Sequence, residues 1–221
     1  MTRLHLFDMD GTLLRGTTAS LEIARTAGCV PELLELEAAF ADGRLDTRGF
    51  AAALGRLWRG LSPDLVARAF TEAPWMRGLA EVMSDIRRRG EHSVVVTMSP
   101  DFFAERLVAF GVDAVAASRF PTLPLRTAPD PAGILTPADK VDIMDRIRTS
   151  WGLDRGSCVA YGDSGSDIPL FRALQDTVAV NAAPAVREIA RYHYDGDDLC
   201  EAYRIVADAT RFPQQKEQRP S

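Results

Sequence analysis

Apolar positions along the chain gather into short runs separated by longer amphipathic stretches. Leu4-His5-Leu6-Phe7, Ser93–Val96, Ala114–Ala117, Ser157–Tyr161 and Thr177–Val180 are too short for buried helices and are rich in β-branched or aromatic residues, so each reads as a strand. Helical patterns separate most of them. This alternation predicts an α/β fold built on a doubly wound parallel sheet. The interval from Leu14 to Pro74 breaks the alternation, offering helical patterns and no strand. Within it Phe50, Leu54, Leu57, Trp58 and Leu61 recur at helical spacing and read as the internal core of a small all-helical insertion. The expected division is a core of residues 1–14 and 75–210, an inserted unit of 15–74, and a polar tail of 211–221 that reads as disordered. Between Phe120 and Pro137, Pro121, Pro124, Pro129, Pro131, Pro137 and Gly133 predict a turn-rich excursion or hairpin ahead of a helix near Lys140.

Bulk composition narrows the function classes. With 221 residues and 46% hydrophobic content, the chain has enough apolar material for one α/β domain and a modest insertion. Cys29, Cys158 and Cys200 are odd in number and widely spaced, which fits reduced thiols in the cytoplasm better than a disulfide framework or a zinc site. No run approaches the roughly 18 apolar residues of a membrane span, and the first residues lack the apolar stretch of a signal peptide. A formal charge of −5 argues against a nucleic-acid partner. The one basic run, Arg87-Arg88-Arg89 before Gly90, reads as a helix C-terminus, where cations complement the helix dipole.

The candidate chemistry lies at the predicted strand ends. Asp8-Met9-Asp10-Gly11-Thr12 follows the first run, at the edge where open α/β sheets bind ligands. Residues i and i+2 of an extended segment point the same way, so the Asp8 and Asp10 carboxylates can share one site, and Gly11 lets the chain turn sharply after them. The second run delivers Thr97-Met98-Ser99-Pro100 to its end, with Asp101 placed to open a helix. Lys140 opens an amphipathic stretch that reaches Trp151. The strand at Cys158–Tyr161 leads into Gly162-Asp163-Ser164-Gly165-Ser166-Asp167, a turn carrying two acids four residues apart. His5, His92 and His193 have no spacing that marks a metal cluster or a triad.

In that order and at those strand ends, the four segments resemble the haloacid dehalogenase superfamily of phosphohydrolases, over about residues 1–210. The resemblance implies a Rossmann-like core and a set of roles. Asp8 would be the nucleophile toward phosphorus and Asp10 the general acid and base. Thr97, the backbone after it at Met98, and Lys140 would bind the phosphoryl oxygens. Mg2+ would be held by the Asp8 carboxylate, the Asp10 backbone carbonyl and the Asp163 carboxylate, with Asp167 orienting a metal-bound water or Lys140. The expected function is Mg2+-dependent hydrolysis of a small phosphorylated metabolite through an aspartyl-phosphate. The segment Gly11 to Gly16 and the helical insertion would form a lid that excludes water.

The insertion sits where phosphoserine phosphatases and their relatives carry a small helical cap, and Ala41-Asp42-Gly43-Arg44-Leu45-Asp46 followed by Phe50 is similar to that subfamily. Two departures bear on substrate. Where those enzymes place an acid that reads the serine ammonium, this chain offers Thr17 and Thr18, with Glu22 the nearest acid. Where they place an Arg for the carboxylate, Leu57 falls, with Arg56 and Arg59 nearby. Which of Arg15, Arg44, Arg56 and Arg59 faces a ligand stays open, as does monomer or homodimer. Phosphoserine phosphatase proper, a phosphotransferase, a dehalogenase and a non-catalytic phosphometabolite sensor are the competing readings. A leaving halide needs no acid at Asp10, and a mere anion sensor has no use for Asp8, Asp10, Asp163 and Asp167 together.

Overall fold

Each of the five apolar runs becomes a strand of one sheet, and a sixth strand joins at its edge. A computed structural model of the chain describes residues 2–211, with side chains through Val206. The strands are β1 (Leu4–Phe7), β2 (His92–Pro100), β3 (Ala114–Ser118), β4 (Cys158–Gly162), β5 (Asp176–Val180) and β6 (Tyr192–Tyr194). Their order across the sheet is β3-β2-β1-β4-β5-β6, and every neighbouring pair is parallel. This is a doubly wound Rossmann-like sheet whose strand order reverses at β1, so the switch point lies between β1 and β4. Phe7 stands opposite Val95 on β2 and Tyr161 on β4, which brings the carboxyl ends of the three central strands level.

The two faces of the sheet bury different residues, as strand alternation requires. Leu4, Leu6, Val94, Val96 and Ala160 pack with Ile143 and Met144 of α7 (Asp139–Ser150) and with Leu170 and Phe171 of α8 (Ile168–Ala173). Phe7, Val95, Val159 and Tyr161 face the other way, toward α5 (Leu79–Arg88) and α10 (Leu199–Arg211). Helix α5 ends as the basic run predicted: Gly90 has φ +69°, and Arg88 and Arg89 both bond Asp85 on the preceding turn. Helix α10 continues through Arg211, one residue into the stretch expected to be a disordered tail; 212–221 lie outside the described residues. Two short helices, α6 (Asp101–Ala104) after β2 and α9 (Pro184–Arg187) before β6, complete the set.

Between β1 and α5 the chain forms four helices, α1 (Ala19–Ala27), α2 (Val30–Ala41), α3 (Thr47–Leu57) and α4 (Pro63–Glu72), and no strand. Local signals delimit them. Thr18, Asp46 and Ser62 cap α1, α3 and α4 by accepting from Leu21, Gly49 and Leu65 backbone N–H groups, and Gly28 closes α1 at φ +73°. The connections into and out of this region lie side by side: Met76 N donates to Leu13 O at 2.9 Å and Arg15 N to Pro74 O at 3.0 Å. Leu54, Trp58 and Leu61 are buried, but not in a core private to the insertion. Trp58 meets Phe102 edge-on at 6.4 Å and lies 6.5 Å from Phe120, so the apolar face expected to turn inward is shared with the sheet domain.

The proline-rich segment is the turn-rich excursion expected, with no hairpin in it, and it is tied down along its length. Gly60 N donates to Leu125 O at 2.7 Å and Leu125 N to Leu61 O at 3.3 Å, while a side chain at Gly55 would collide with Pro129. Leu125 is fully buried there. The segment is a strap across α3 and the turn after it.

His5 is structural. Its Nε2 donates to Glu91 at 3.0 Å, leaving Nδ1 to accept from the Tyr161 hydroxyl at 3.2 Å. Burial, more than Glu91 can offset, lowers its pKa from the usual 6.5. Between that lowered value and 6.5 the unfolded chain binds a proton that the folded chain refuses, so stability falls as pH drops through the window. Wild-type protein is expected to lose up to ~1.4 kcal/mol per pH unit there relative to His5→Gln. Urea midpoints for both proteins from pH 7.5 to 5 check this, and parallel curves would show that His5 is not buried neutral.

Candidate active site

Three strand ends and one helix bring the candidate residues together. The sheet ladder continues through Asp8, whose N–H donates to Tyr161 O at 2.9 Å. Beyond it the chain turns tightly, with Leu13 N and Leu14 N both bonding Met9 O and Gly11 at φ +78°. Glycine is needed there twice over. A Cβ would strain the backbone and would also run into the Asp163 carboxylate from β4.

Lys140, the second residue of α7, is 1% exposed and points into the acids. Its Nζ donates to Asp8 Oδ1 at 2.7 Å, to Asp167 Oδ1 at 2.7 Å and to Ser166 Oγ at 3.3 Å. Asp167 Oδ2 in turn accepts from the Asp163 and Ser164 backbone N–H groups at 3.0 and 3.2 Å, so both its oxygens are engaged. Asp163 differs. Its Oδ1 is buried with no hydrogen-bond partner among the described residues. Oxygens of Asp8, Asp163 and Asp167 all lie within 4.8 Å of one another.

Burying like charges this close shifts their titration. Burial and then the Asp167 and Asp10 charges push the Asp163 carboxyl up to about 7. Asp10 is raised too, chiefly by burial. For Lys140 the attraction of Asp8 and Asp167 outweighs desolvation and holds the ammonium charged well above its usual range.

Asp10 is held from two sides. Oδ1 accepts from Ala19 N at 2.8 Å, at the first turn of α1, and Oδ2 accepts from the Ser99 hydroxyl. Ser99 belongs to the end of β2, where a register shift between Val96 and Pro100 releases Thr97, Met98 and Ser99 from β3. Thr97 is buried, and its Oγ1 accepts from Ser99 N at 3.1 Å. Five sequence-predicted residues, Asp8, Asp10, Lys140, Asp163 and Asp167, therefore share one cluster, with Thr97 and Met98 on the adjoining strand end.

Residues 5–172 match the family described as haloacid dehalogenase-like hydrolase. The chain belongs to that family. Phosphoserine phosphatase of Methanocaldococcus jannaschii is 26% identical over 206 residues, which are 92% of this chain and 97% of the relative. Phosphoserine phosphatase of Streptomyces coelicolor is 30% identical over 193 residues, 85% of this chain and 46% of the relative. A solved phosphoserine phosphatase with a phospho-aspartyl intermediate analogue matches at a TM-score of 0.77 and 25% identity, covering 92% of this chain and 98% of that one. This haloacid dehalogenase-like hydrolase is an enzyme, a phosphatase acting on phosphate monoesters.

Three groups of this haloacid dehalogenase-like hydrolase escaped the sequence reading. Ser99 sat in the quoted Thr97-to-Pro100 motif but was passed over for Thr97. The Ala19 N–H is backbone and leaves no trace in residue type. Glu37, on α2, feels the Asp10 charge: burial first and Asp10 second raise its carboxyl. Of the groups considered for reading a substrate, Glu22 is already engaged by Thr17 Oγ1 and by Arg25, both at 2.5 Å. Arg15 pairs with Asp197 and Arg44 with Asp42, while Arg56 and Arg59 are exposed. Among the described residues no helix is long and apolar enough to cross a membrane.

The cluster fits a hard divalent cation, because its donors are all carboxylate oxygens and Asp163 Oδ1 lacks a partner that a cation would supply. Two outcomes test this geometry. Gly11→Ala should displace the Asp163 carboxylate and weaken Mg2+ or Mn2+ binding by roughly tenfold, as read by calorimetric titration. Lys140→Met strands buried carboxylates without their counter-charge, so it should lose ~3–5 kcal/mol of stability at pH 7.5. That loss should shrink on acidification, since Asp8 without Lys140 binds a proton more tightly in the folded chain than in the unfolded one. Urea unfolding at pH 7.5 and 5.5 measures both, and an undiminished midpoint for Lys140→Met would deny the ammonium its central place.

Proposed function

We propose that Asp8 is the nucleophile of a Mg2+-dependent phosphomonoester hydrolase acting on a small phosphorylated metabolite, with Asp10 as its general acid and base. The observation that supports this most is the pairing of an engaged Asp8 Oδ1 on Lys140 with a partnerless Asp163 Oδ1 beside it, an acid cluster one cation short of balance. Asp8, the Asp10 backbone carbonyl and Asp163 would hold Mg2+. When bound, the ion neutralises phosphoryl oxygens that otherwise repel the Asp8 carboxylate.

The remaining chemistry belongs to the chain. Lys140 fixes the rotamer of Asp8 and adds a positive charge toward the phosphoryl group. Asp167 holds Lys140 and the Asp163 backbone in place from behind. Asp8 attacks phosphorus in line with the leaving oxygen and becomes an aspartyl-phosphate while Asp10 gives its proton to the departing alkoxide. Burial raises the Asp10 carboxyl above its ordinary value, the direction that suits a group that must carry a proton in the first half-reaction and take one from water in the second. Thr97 and the backbone at Met98 would receive the phosphoryl oxygens at the end of β2.

We read residues 15–74 as a cap on a core of 1–14 and 75–210. The Ala19 N–H on Asp10 then ties seating of the cap to the acid itself. A reducing cytoplasm suits the three unbridged cysteines.

Inorganic phosphate release from a panel of small monoesters, with Mg2+ and with chelator, tests the reading. Asp8→Asn should abolish release, with at least a ~10³-fold fall in kcat, while still binding substrate. Asp10→Asn should slow esters with poor leaving groups most and aryl esters least. Near-normal release by Asp8→Asn would remove it as nucleophile, and a uniform effect of Asp10→Asn would remove it as the acid. Product analysis with added alcohols separates hydrolysis from phosphotransfer.

A further inference from the structure

A cavity of about 120 Å3 opens beside Asp10, between the end of β2 and helices α2 and α3. Ser99, whose hydroxyl bonds Asp10, forms part of its wall, so the cavity adjoins the carboxyl that protonates the leaving oxygen. The leaving group of a bound ester must extend into it. Its apolar walls are Phe40, Phe50, Leu54, Met98, Phe120 and Ile134. Ser20 and Thr47 supply hydroxyls, and among the described residues no charged side chain lines it.

The expected location for a carboxylate-reading Arg was the position of Leu57. Leu57 packs on the hydrophobic core, and the residue that α3 presents to the cavity is Leu54, also without charge. The charged group near Asp10 on the cap is Glu37, an acid, which repels an anionic substituent. A buried carboxylate without a partner is strongly disfavoured. An apolar cavity of ~150 Å3 is known to take up benzene, which sets the scale.

Resting on the phosphomonoesterase reading above, we propose that the alcohol released by this enzyme is apolar: an uncharged alkyl or ring body of up to about six carbons, seated against Phe50, Leu54, Phe120 and Ile134, with no carboxylate. The cap of this chain selects by burial where a zwitterion would need paired charges.

Wild-type kinetics on ethyl, propyl, butyl and pentyl phosphate and on phosphoserine, read as Mg2+-dependent phosphate release, test it. The expected kcat/KM rises by about fourfold per methylene, and phosphoserine falls at least ~100-fold below butyl phosphate, a gap set by burying its charges. Leu54→Arg should shrink the ratio between butyl and ethyl phosphate to below about threefold, since the guanidinium takes the space and its apolar contact. A flat alkyl series, or phosphoserine matching butyl phosphate, overturns the inference and leaves the phosphatase reading standing. No metal-dependent release from any ester, by folded protein, overturns both.

Discussion

One buried ammonium organises this molecule. Lys140 reaches from α7, on one face of the sheet, to carboxylates delivered by β1 and by the turn after β4. Against it stand Asp8, Asp10, Asp163 and Asp167, more negative groups than one lysine can balance in a buried setting. Such a cluster has carboxylate oxygens to offer a further cation. The sheet supplies what the charges cannot, a rigid alignment of three strand ends at the point where strand order reverses.

Much of this was legible in the residues. Four of the five apolar runs declared strands because a central parallel strand is buried on both faces and reads as an uninterrupted apolar stretch, while β3, at the sheet edge and half-buried, was betrayed by its short apolar run alone. The site acids were legible for a related reason: Asp and Gly at a strand's carboxyl end are set by backbone geometry, so spacing along the chain translates into proximity in space. β6 was not legible. At three residues, Tyr192 to Tyr194, it is too short to show a period, and it becomes a strand by pairing with β5. Ser99 was visible but ambiguous, since only the register shift in β2 decides which hydroxyl of Thr97 and Ser99 meets Asp10.

The helical insertion was the least readable part. Its helices could be seen, yet which residue of α3 meets the cavity depends on the rotation of that helix against the core. Periodicity gives a face, and packing decides which edge of the face meets the cavity: Leu54 and Leu57 are one turn apart and differ in just this respect. Likewise the apolar stripe of α3 looked self-contained and proved to be shared with Phe102 and Phe120.

That sharing links two properties usually free to vary apart. The strap between Phe120 and Ile134 bonds the turn after α3 at Gly60 and Leu61, and its two ends, Phe120 and Ile134, are walls of the cavity. The inserted helices are thus moored both at their paired connections and by a segment that also shapes the chamber. Change in the strap therefore alters the mooring and the chamber wall together.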